Sequence, residues 1–310
     1  MSENDKDLWE LRRRTESGIQ NDQRNAQLLH RVESSVLHDL DPNELYPESK
    51  AEDGITIFIP NWNHRSHLPR SVRSALHAVG HLERAGYYGE VLVIDDASRD
   101  GSQKLLRTVQ MLYDKPQLKT LFLKQNLGLP RLRNLALQMS QFRYVCLMDA
   151  DNELLPNNLP LFLQSALETE AALVYGNLIY KRGEEIVHLI SEDVATMRLS
   201  KGNYIDAFAL FDTRKLLRMG GYTTDPRIFA YEDWEMVLHL IAEEERIVFV
   251  PAVMGYYHRQ PGSMLQEVSA IREGTYALVQ RMFTQSGTRE WDPARVGRVY
   301  HPAVGYIDER

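Results

Sequence analysis

Four short apolar runs separated by helical stretches constrain this chain more than any other feature. Ile55-Thr-Ile-Phe-Ile59, Val91-Leu-Val-Ile94, Leu121-Phe-Leu123 and Tyr144-Val-Cys-Leu-Met148 have the length and composition of buried strands. Between them, Leu68, Val72, Ala75, Leu76, Val79 and Leu82 trace one helix face, and Leu105, Leu106, Val109 and Leu112 a second. Leu132, Leu135, Ala136 and Met139 mark a third. This alternation implies right-handed crossovers and an α/β fold, a mostly parallel sheet flanked by helices. In open sheets of that class, ligands bind outside the carboxyl ends of the strands. The turns after each run are therefore where chemistry is to be sought.

Outside this core the pattern is looser. The second half suggests a helix over 158–168, a strand near 172–175 and a hairpin around Lys181-Arg-Gly-Glu184. A helix begins near Asp233, and Arg246-Ile-Val-Phe-Val250 reads as a late strand. Residues 1–50 are polar and charged. Leu28, Leu29, Val32, Val36 and Leu40 repeat there at helical spacing, up to the stop signal Asp41-Pro42-Asn43. They predict an N-terminal helical extension that packs on the body or serves self-association.

Composition excludes some classes. The 310-residue chain carries a net charge of −7, so it has no overall basic footprint and nucleic acid is not expected as a partner. A negative protein that handles a negative substrate needs a metal or specific Arg and Lys side chains. Cys146 is the only cysteine, so no intrachain disulfide can form, which fits a reducing compartment. The amino terminus lacks the apolar core of a signal peptide, and no stretch approaches the roughly 20 apolar residues that span a bilayer. The expectation is a cytoplasmic protein, with peripheral contact to a membrane surface left open.

The turns hold unusual residues. Asp149-Ala-Asp151 ends the fourth run, and two carboxylates there can hold a hard divalent cation through oxygen, although acids also favour plain turns. After the first run comes Pro60-Asn-Trp-Asn-His64, where Trp62 is either a core plug or a flat platform for a nucleobase. After the second, Asp95 and Asp96 can accept from a base or ribose, or cap the following helix. Asn126-Leu-Gly-Leu-Pro-Arg-Leu-Arg-Asn134 follows the third. Gly128 permits close backbone approach, and Arg131 and Arg133 open a helix whose amino end suits a phosphate. Base, phosphate and metal groups along one sheet edge describe a nucleoside diphosphate. Tyr231-Glu-Asp-Trp-Glu235 places Glu232 and Asp233 at a helix start, as caps or as the site of a general base. Asn203-Tyr-Ile-Asp206 is read as lining the acceptor side, and Tyr256-Tyr-His-Arg-Gln-Pro-Gly-Ser263 offers His258 as a further ligand.

In this order, these turns resemble the family 2 glycosyltransferases of the GT-A fold, over roughly residues 54–265. The resemblance rests on Ile57–Asn63, Val93–Ser98, the spaced Asn126, Gly128, Arg133 and Asn134, Asp149-x-Asp151, Gly220-Gly-Tyr222 and Glu232-Asp-Trp234. It implies an inverting transfer from a nucleotide diphosphate sugar, a UDP-sugar above others, to a hydroxyl on a glycan, lipid-linked or protein acceptor. It implies Mg²⁺ or Mn²⁺ at Asp149, Asp151 and His258, and Asp233 as base with Glu232 beside it. Nucleotide contacts would come from Pro60, Trp62, Asn63, Asp95, Asp96, Asn126, Gly128, Arg133, Asp149 and Ala150. The implied organisation is an extension over 1–50 and a GT-A domain over 51–285. That domain divides into a nucleotide half to about 155 and an acceptor half from about 156, and a tail covers 286–310.

The chain departs from the family pattern at three points. Trp62 stands where Tyr is commoner, Leu132 replaces a small residue, and Gln260 occupies the place of a His before Pro-Gly-Ser, with His258 two residues earlier. Two rival readings are weighed. A sugar nucleotidyltransferase would need a Gly-rich basic loop where Pro60–His64 stands. A non-catalytic nucleotide-sugar or glycan-binding module would not need Asp149, Asp151 and Asp233 intact. No P-loop or Gly-x-Gly-x-x-Gly follows a strand, which removes the anchor for kinase and dehydrogenase readings.

Overall fold

The structure is a computed structural model that describes residues 51–113, 117–183, 185–190, 203–225, 228, 230–258, 279, 297–301 and 305–309. The expected helix over Leu28–Leu40 and the Gln260–Ser263 loop lie outside those residues. The first half follows the alternation read from the sequence. Strand β1 spans Ala51–Asn61, helix α1 Leu68–Arg84, β2 Tyr88–Asp95, α2 Ser102–Tyr113, β3 Leu118–Phe122, α3 Leu129–Met139 and β4 Phe142–Leu147. These four strands are all parallel, in the order β3-β2-β1-β4. In β1, β2 and β4 the apolar side chains are covered on both faces, which is why these strands read as continuous runs. Pro69 starts α1, where its missing N–H costs nothing. Leu68, Val72, Ala75, Val79 and Leu82 are buried against the sheet, and burying a side chain of this kind stabilises by about 1.5–3 kcal/mol.

The second half is mixed. Strand β5 is Glu153–Leu154, α4 Leu159–Thr169, β6 Leu173–Arg182, β7 Glu185–Ile190, β8 Leu210–Asp212, α5 Thr213–Arg218, α6 Glu232–Ala242 and β9 Ile247–His258. The sheet continues from β4 through β8, β6 and β9 to β5. β8 is antiparallel to both of its neighbours, β6 and β9 are parallel, and β7 pairs with β6 in the expected hairpin. Strands β10 (Gly297–His301) and β11 (Gly305–Glu309) form an antiparallel pair in the tail. Among the described residues no helix is long and apolar enough to cross a membrane.

β9 extends well beyond the run that announced it. Pro251 lies inside it, beside the register shifts between Gly176, Asn177 and Leu178 of β6. A proline without a donor is tolerated in a strand at such a bulge. The extension carries Tyr256, Tyr257 and His258 up to the carboxyl end of β4.

Candidate active site

The strand-end turns are tied together by side chains before any ligand is considered. Asn61, buried at the end of β1, donates from Nδ2 to Asp95 Oδ2 at 2.6 Å, and Asp95 Oδ1 accepts from the Ser98 N–H and from Gln103 Nε2. Asp96 accepts from the Leu127 and Gly128 backbone N–H groups at 2.7 and 2.9 Å. Both acids therefore hold loops. Burial raises the Asp96 carboxyl above its usual range, and those two N–H bonds partly offset the rise. Gly128 sits at φ 84°, a backbone region that favours glycine. The Asn126 side chain donates to the Asp96 carbonyl, so Asn126 too serves loop geometry. Pro60 is half-buried and Asn63 exposed at φ 59°, with its backbone and side chain bonded to the Ser98 and Arg99 turn. Trp62 is 56% exposed, which rules out the core plug.

Two residues that sequence reading missed fix the Asp149–Asp151 turn. Ser71 of α1 donates to the Ala150 carbonyl at 2.8 Å, and Arg70 to the Asp151 carbonyl at 2.6 Å. Two serines, Ser71 and Ser74, among the apolar residues on the buried face of α1 were the available signal. Asp149 and Asp151 are half-buried and interact with each other. Burial first, and Asp149 second, push the Asp151 carboxyl up to about 7. Asp206 joins them from the acceptor half, raised to about 6 by burial and by Asp149.

Asp233 faces the same space from the first turn of α6. Burial and the neighbouring Glu232 push its carboxyl up to about 7, and Asn203 donates to its Oδ2 at 2.9 Å. Between the carboxylates lies Arg133. Its Nη1 pairs with Glu232 Oε1 at 3.1 Å, with both side chains almost fully buried, and its guanidinium stands 5.2 Å from the Tyr222 ring centroid. Burial alone would lower the Arg133 pKa, but Glu232, Tyr222, Asp149 and Asp233 more than reverse this and keep it charged. Arg131, by contrast, bonds its own helix start at the Leu127 carbonyl.

Asn134 clamps the Gly220-Gly221-Tyr222 turn by two bonds, donating to the Tyr222 carbonyl at 2.8 Å and accepting from its N–H at 2.6 Å. Gly221 has φ 75°, and a Cβ there would lie 2.5 Å from Asn134 Oδ1. Gly220 has φ 90° with open space around it. Gly221→Ala should cost about 1–3 kcal/mol in strain and lost bonding, and more than Gly220→Ala, which incurs strain alone. Equal denaturant midpoints for the two variants would contradict this.

His258 is not turned to the acidic cluster. Neighbouring side chains on a strand point to opposite faces. Tyr257 is the one under the field of Asp206, Asp149, Asp151 and Asp233, which together with its burial raises its pKa. The His258 ring instead contacts Glu153 Oε1 at 2.7 Å, and Arg70 contacts the same oxygen at 3.2 Å. Among the described residues no group of three or more His, Cys, Asp or Glu could by itself hold a metal ion. Two crowded carboxylates with only oxygen donors still fit Mg²⁺ or Mn²⁺ on one condition. The remaining ligands must be water and substrate phosphates, the usual arrangement for Mg²⁺ at nucleotide sites.

The fold is that of the GT-A glycosyltransferases. The chain belongs to glycosyl transferase family 2, whose model matches residues 56–213, just over half of it. It is similar to TuaG of Bacillus subtilis, named as a glycosyltransferase of teichuronic acid biosynthesis, with 25% identity over 121 residues. That match covers 39% of this chain and 45% of TuaG, so the chain spans less than half of that relative. Among solved structures it resembles TarS residues 1–349 of S. aureus in complex with UDP-GlcNAc, at TM-score 0.59 and 16% identity, over 75% of this chain and 66% of that one. It also resembles the mannosyltransferase PcManGT of Pyrobaculum calidifontis in complex with GDP-Man and Mn²⁺. That similarity has TM-score 0.57 and 17% identity, over 89% of this chain and 76% of that one.

Proposed function

We propose that this chain is an inverting, divalent-metal-dependent enzyme that moves a sugar from a UDP-sugar to an acceptor hydroxyl in polysaccharide or glycoconjugate synthesis. The observation that carries the reading is that two carboxylate sets, from the end of β4 and the start of α6, act on the same Arg133 and the same Tyr257. Asp149 and Asp151 form the first set, with Asp151 raised to about 7, and Asp233, held by Asn203 and also raised to about 7, belongs to the second. A base that titrates near neutral pH suits proton abstraction from a hydroxyl. Asp233 takes the acceptor proton, and the hydroxyl oxygen attacks the anomeric carbon from the face opposite the diphosphate. The carbon–oxygen bond to the diphosphate breaks, and the configuration inverts. A cation held by Asp149 and Asp151, when bound, offsets the charge left on the diphosphate. Arg133 adds a fixed positive charge between the two acidic sets. The similarity to chains solved with UDP-GlcNAc, and with GDP-Man and Mn²⁺, supports a nucleotide-sugar donor and a metal.

The test is a panel of nucleotide sugars with and without Mn²⁺, scored by released nucleotide and by the anomeric configuration of the product. Retention of configuration, or full turnover in chelator, would refute the reading. On the donor side, Trp62→Ala should weaken UDP binding by about 1–3 kcal/mol, the usual worth of base–aromatic stacking. Trp62→Phe should recover most of it in calorimetry, and an unchanged affinity in Trp62→Ala would remove the platform.

A further inference from the structure

Helices α1 and α2 share one face of the sheet. The chain steps from β1 to β2 to β3 in one direction, so right-handed crossovers place both connecting helices on the same side, and the two touch. α1 buries Leu68, Val72, Ala75, Val79 and Leu82. Helical spacing turns Arg73, His77, His81 and Arg84 to the opposite, outer side. α2 buries Ser102 and Leu106, and its outer side carries Lys104, Arg107 and Met111. From end to end of both helices the only acid is Glu83, which accepts from Gln117 Nε2 at 3.0 Å. A chain of net charge −7 thus keeps one helical face cationic. The cations there crowd one another: burial first, then Arg84 and His77, hold the His81 imidazole below its ordinary range. α2 ends in three consecutive apolar side chains, Met111, Leu112 and Tyr113, which are 81%, 77% and 42% exposed. Soluble surfaces normally scatter such side chains singly.

We propose that the α1–α2 face docks this protein on a membrane surface rich in anionic lipid. Both parts of the surface match that partner. Arg73, Arg84, Lys104 and Arg107 are exposed and can each meet a lipid phosphate, as basic side chains do on a peripheral helix. Met111 and Leu112 suit the acyl boundary below the headgroups. Tyr113 suits the headgroup level itself, where aromatic rings with a polar tip collect. A nucleic acid would engage the cations but leave the three apolar side chains without a role. α1 also starts at the site, since its Arg70 and Ser71 bind the Asp149–Asp151 turn. Docking through the outer side of the two helices therefore holds the strand-end edge beside the lipid headgroups and leaves it uncovered. The proposal stands independently of the transfer reading.

The test is co-sedimentation of the full chain with vesicles of phosphatidylcholine alone and of phosphatidylcholine mixed with phosphatidylglycerol. Binding is expected to the mixed vesicles only, and to weaken as added salt shortens the range of the charges. Arg73→Gln, Arg84→Gln and Lys104→Gln should each weaken it about fivefold, the usual share of one cation near an anionic surface, and together about a hundredfold. Arg73→Lys and Arg84→Lys should bind like the parent. Met111→Ser combined with Leu112→Ser should weaken binding about tenfold and remove the part that survives high salt. All five side chains are exposed, so every variant should melt with the parent. Equal binding to both kinds of vesicle, no binding to either, or glutamine variants that bind like the parent would overturn the proposal. So would retention on heparin without retention on vesicles, which would assign the face to a soluble polyanion. A dimer in ultracentrifugation that the two serine substitutions disperse, with vesicle binding unchanged, would give the apolar end to a second copy and overturn it too.

Discussion

Asp233→Asn is expected to lower the rate of sugar transfer by about 10²–10⁴-fold, the usual contribution of a positioned base, and to leave UDP affinity unchanged. The parent enzyme should show a rate that climbs with pH through about 7 and is flat above it, because the base works only when ionised and its carboxyl is raised to about 7. The variant should lose that limb. Stability supplies a control with the opposite sign. The unfolded carboxyl titrates near 3.9 and the folded one near 7, so the folded state binds the proton more tightly. Its contribution to stability is complete below about pH 4 and is lost as pH rises through 7. Asparagine resembles the protonated form and can still meet Asn203, so the variant should melt no lower than the parent at pH 8. A variant that transfers at the parent rate, or whose loss of activity tracks a lower melting temperature, would remove Asp233 from the base role.

That Asp233 could be singled out from sequence, and Tyr257 could not, has a physical cause. Asp149, Asp151, Glu232 and Asp233 stand where a long local pattern stops or starts, and a strand or helix end is legible in one dimension. The parallel strands β1, β2 and β4 were legible for the same reason, since burial on both faces makes them unbroken apolar runs. β5 and β8, with two and three residues, carry too little pattern to be read and owe their form to pairing with β9, β4 and β6. β9 was legible only to Val250, because Pro251 looks like an end until the bulge opposite it is known. Beyond that point the sequence offers Tyr256, Tyr257 and His258 in succession. Only strand register decides that Tyr257 meets the carboxylates and His258 meets Glu153. Likewise, Asp95 and Asp96 are at the sheet edge as read, but only coordinates reveal that Asn61, Leu127 and Gly128 already engage them.

The other large effect belongs to the buried pair at the centre of the site. Arg133→Met would leave the Glu232 carboxyl group almost fully enclosed and without its 3.1 Å partner. Breaking a buried pair from one side costs about 3–5 kcal/mol, and for a domain of this size that lowers the melting temperature on the order of 10 °C. Arg133→Lys should recover only part of the loss, because a point charge on a flexible stem does not replace a guanidinium that also lies over Tyr222. Adding Glu232→Gln to Arg133→Met should restore most of the stability, since no carboxyl group then remains buried without its partner. Activity should not return with it. Arg133 also acts on Asp149 and lowers the pKa of Asp233, so its loss leaves the acidic sets without their shared counter-charge and moves the pH limb of any residual activity upward. A double variant that regains stability and full transfer together would show that the pair only holds the fold. Stability regained without transfer, with a raised pH limb, assigns Arg133 the second role of setting the charge that Asp233 experiences.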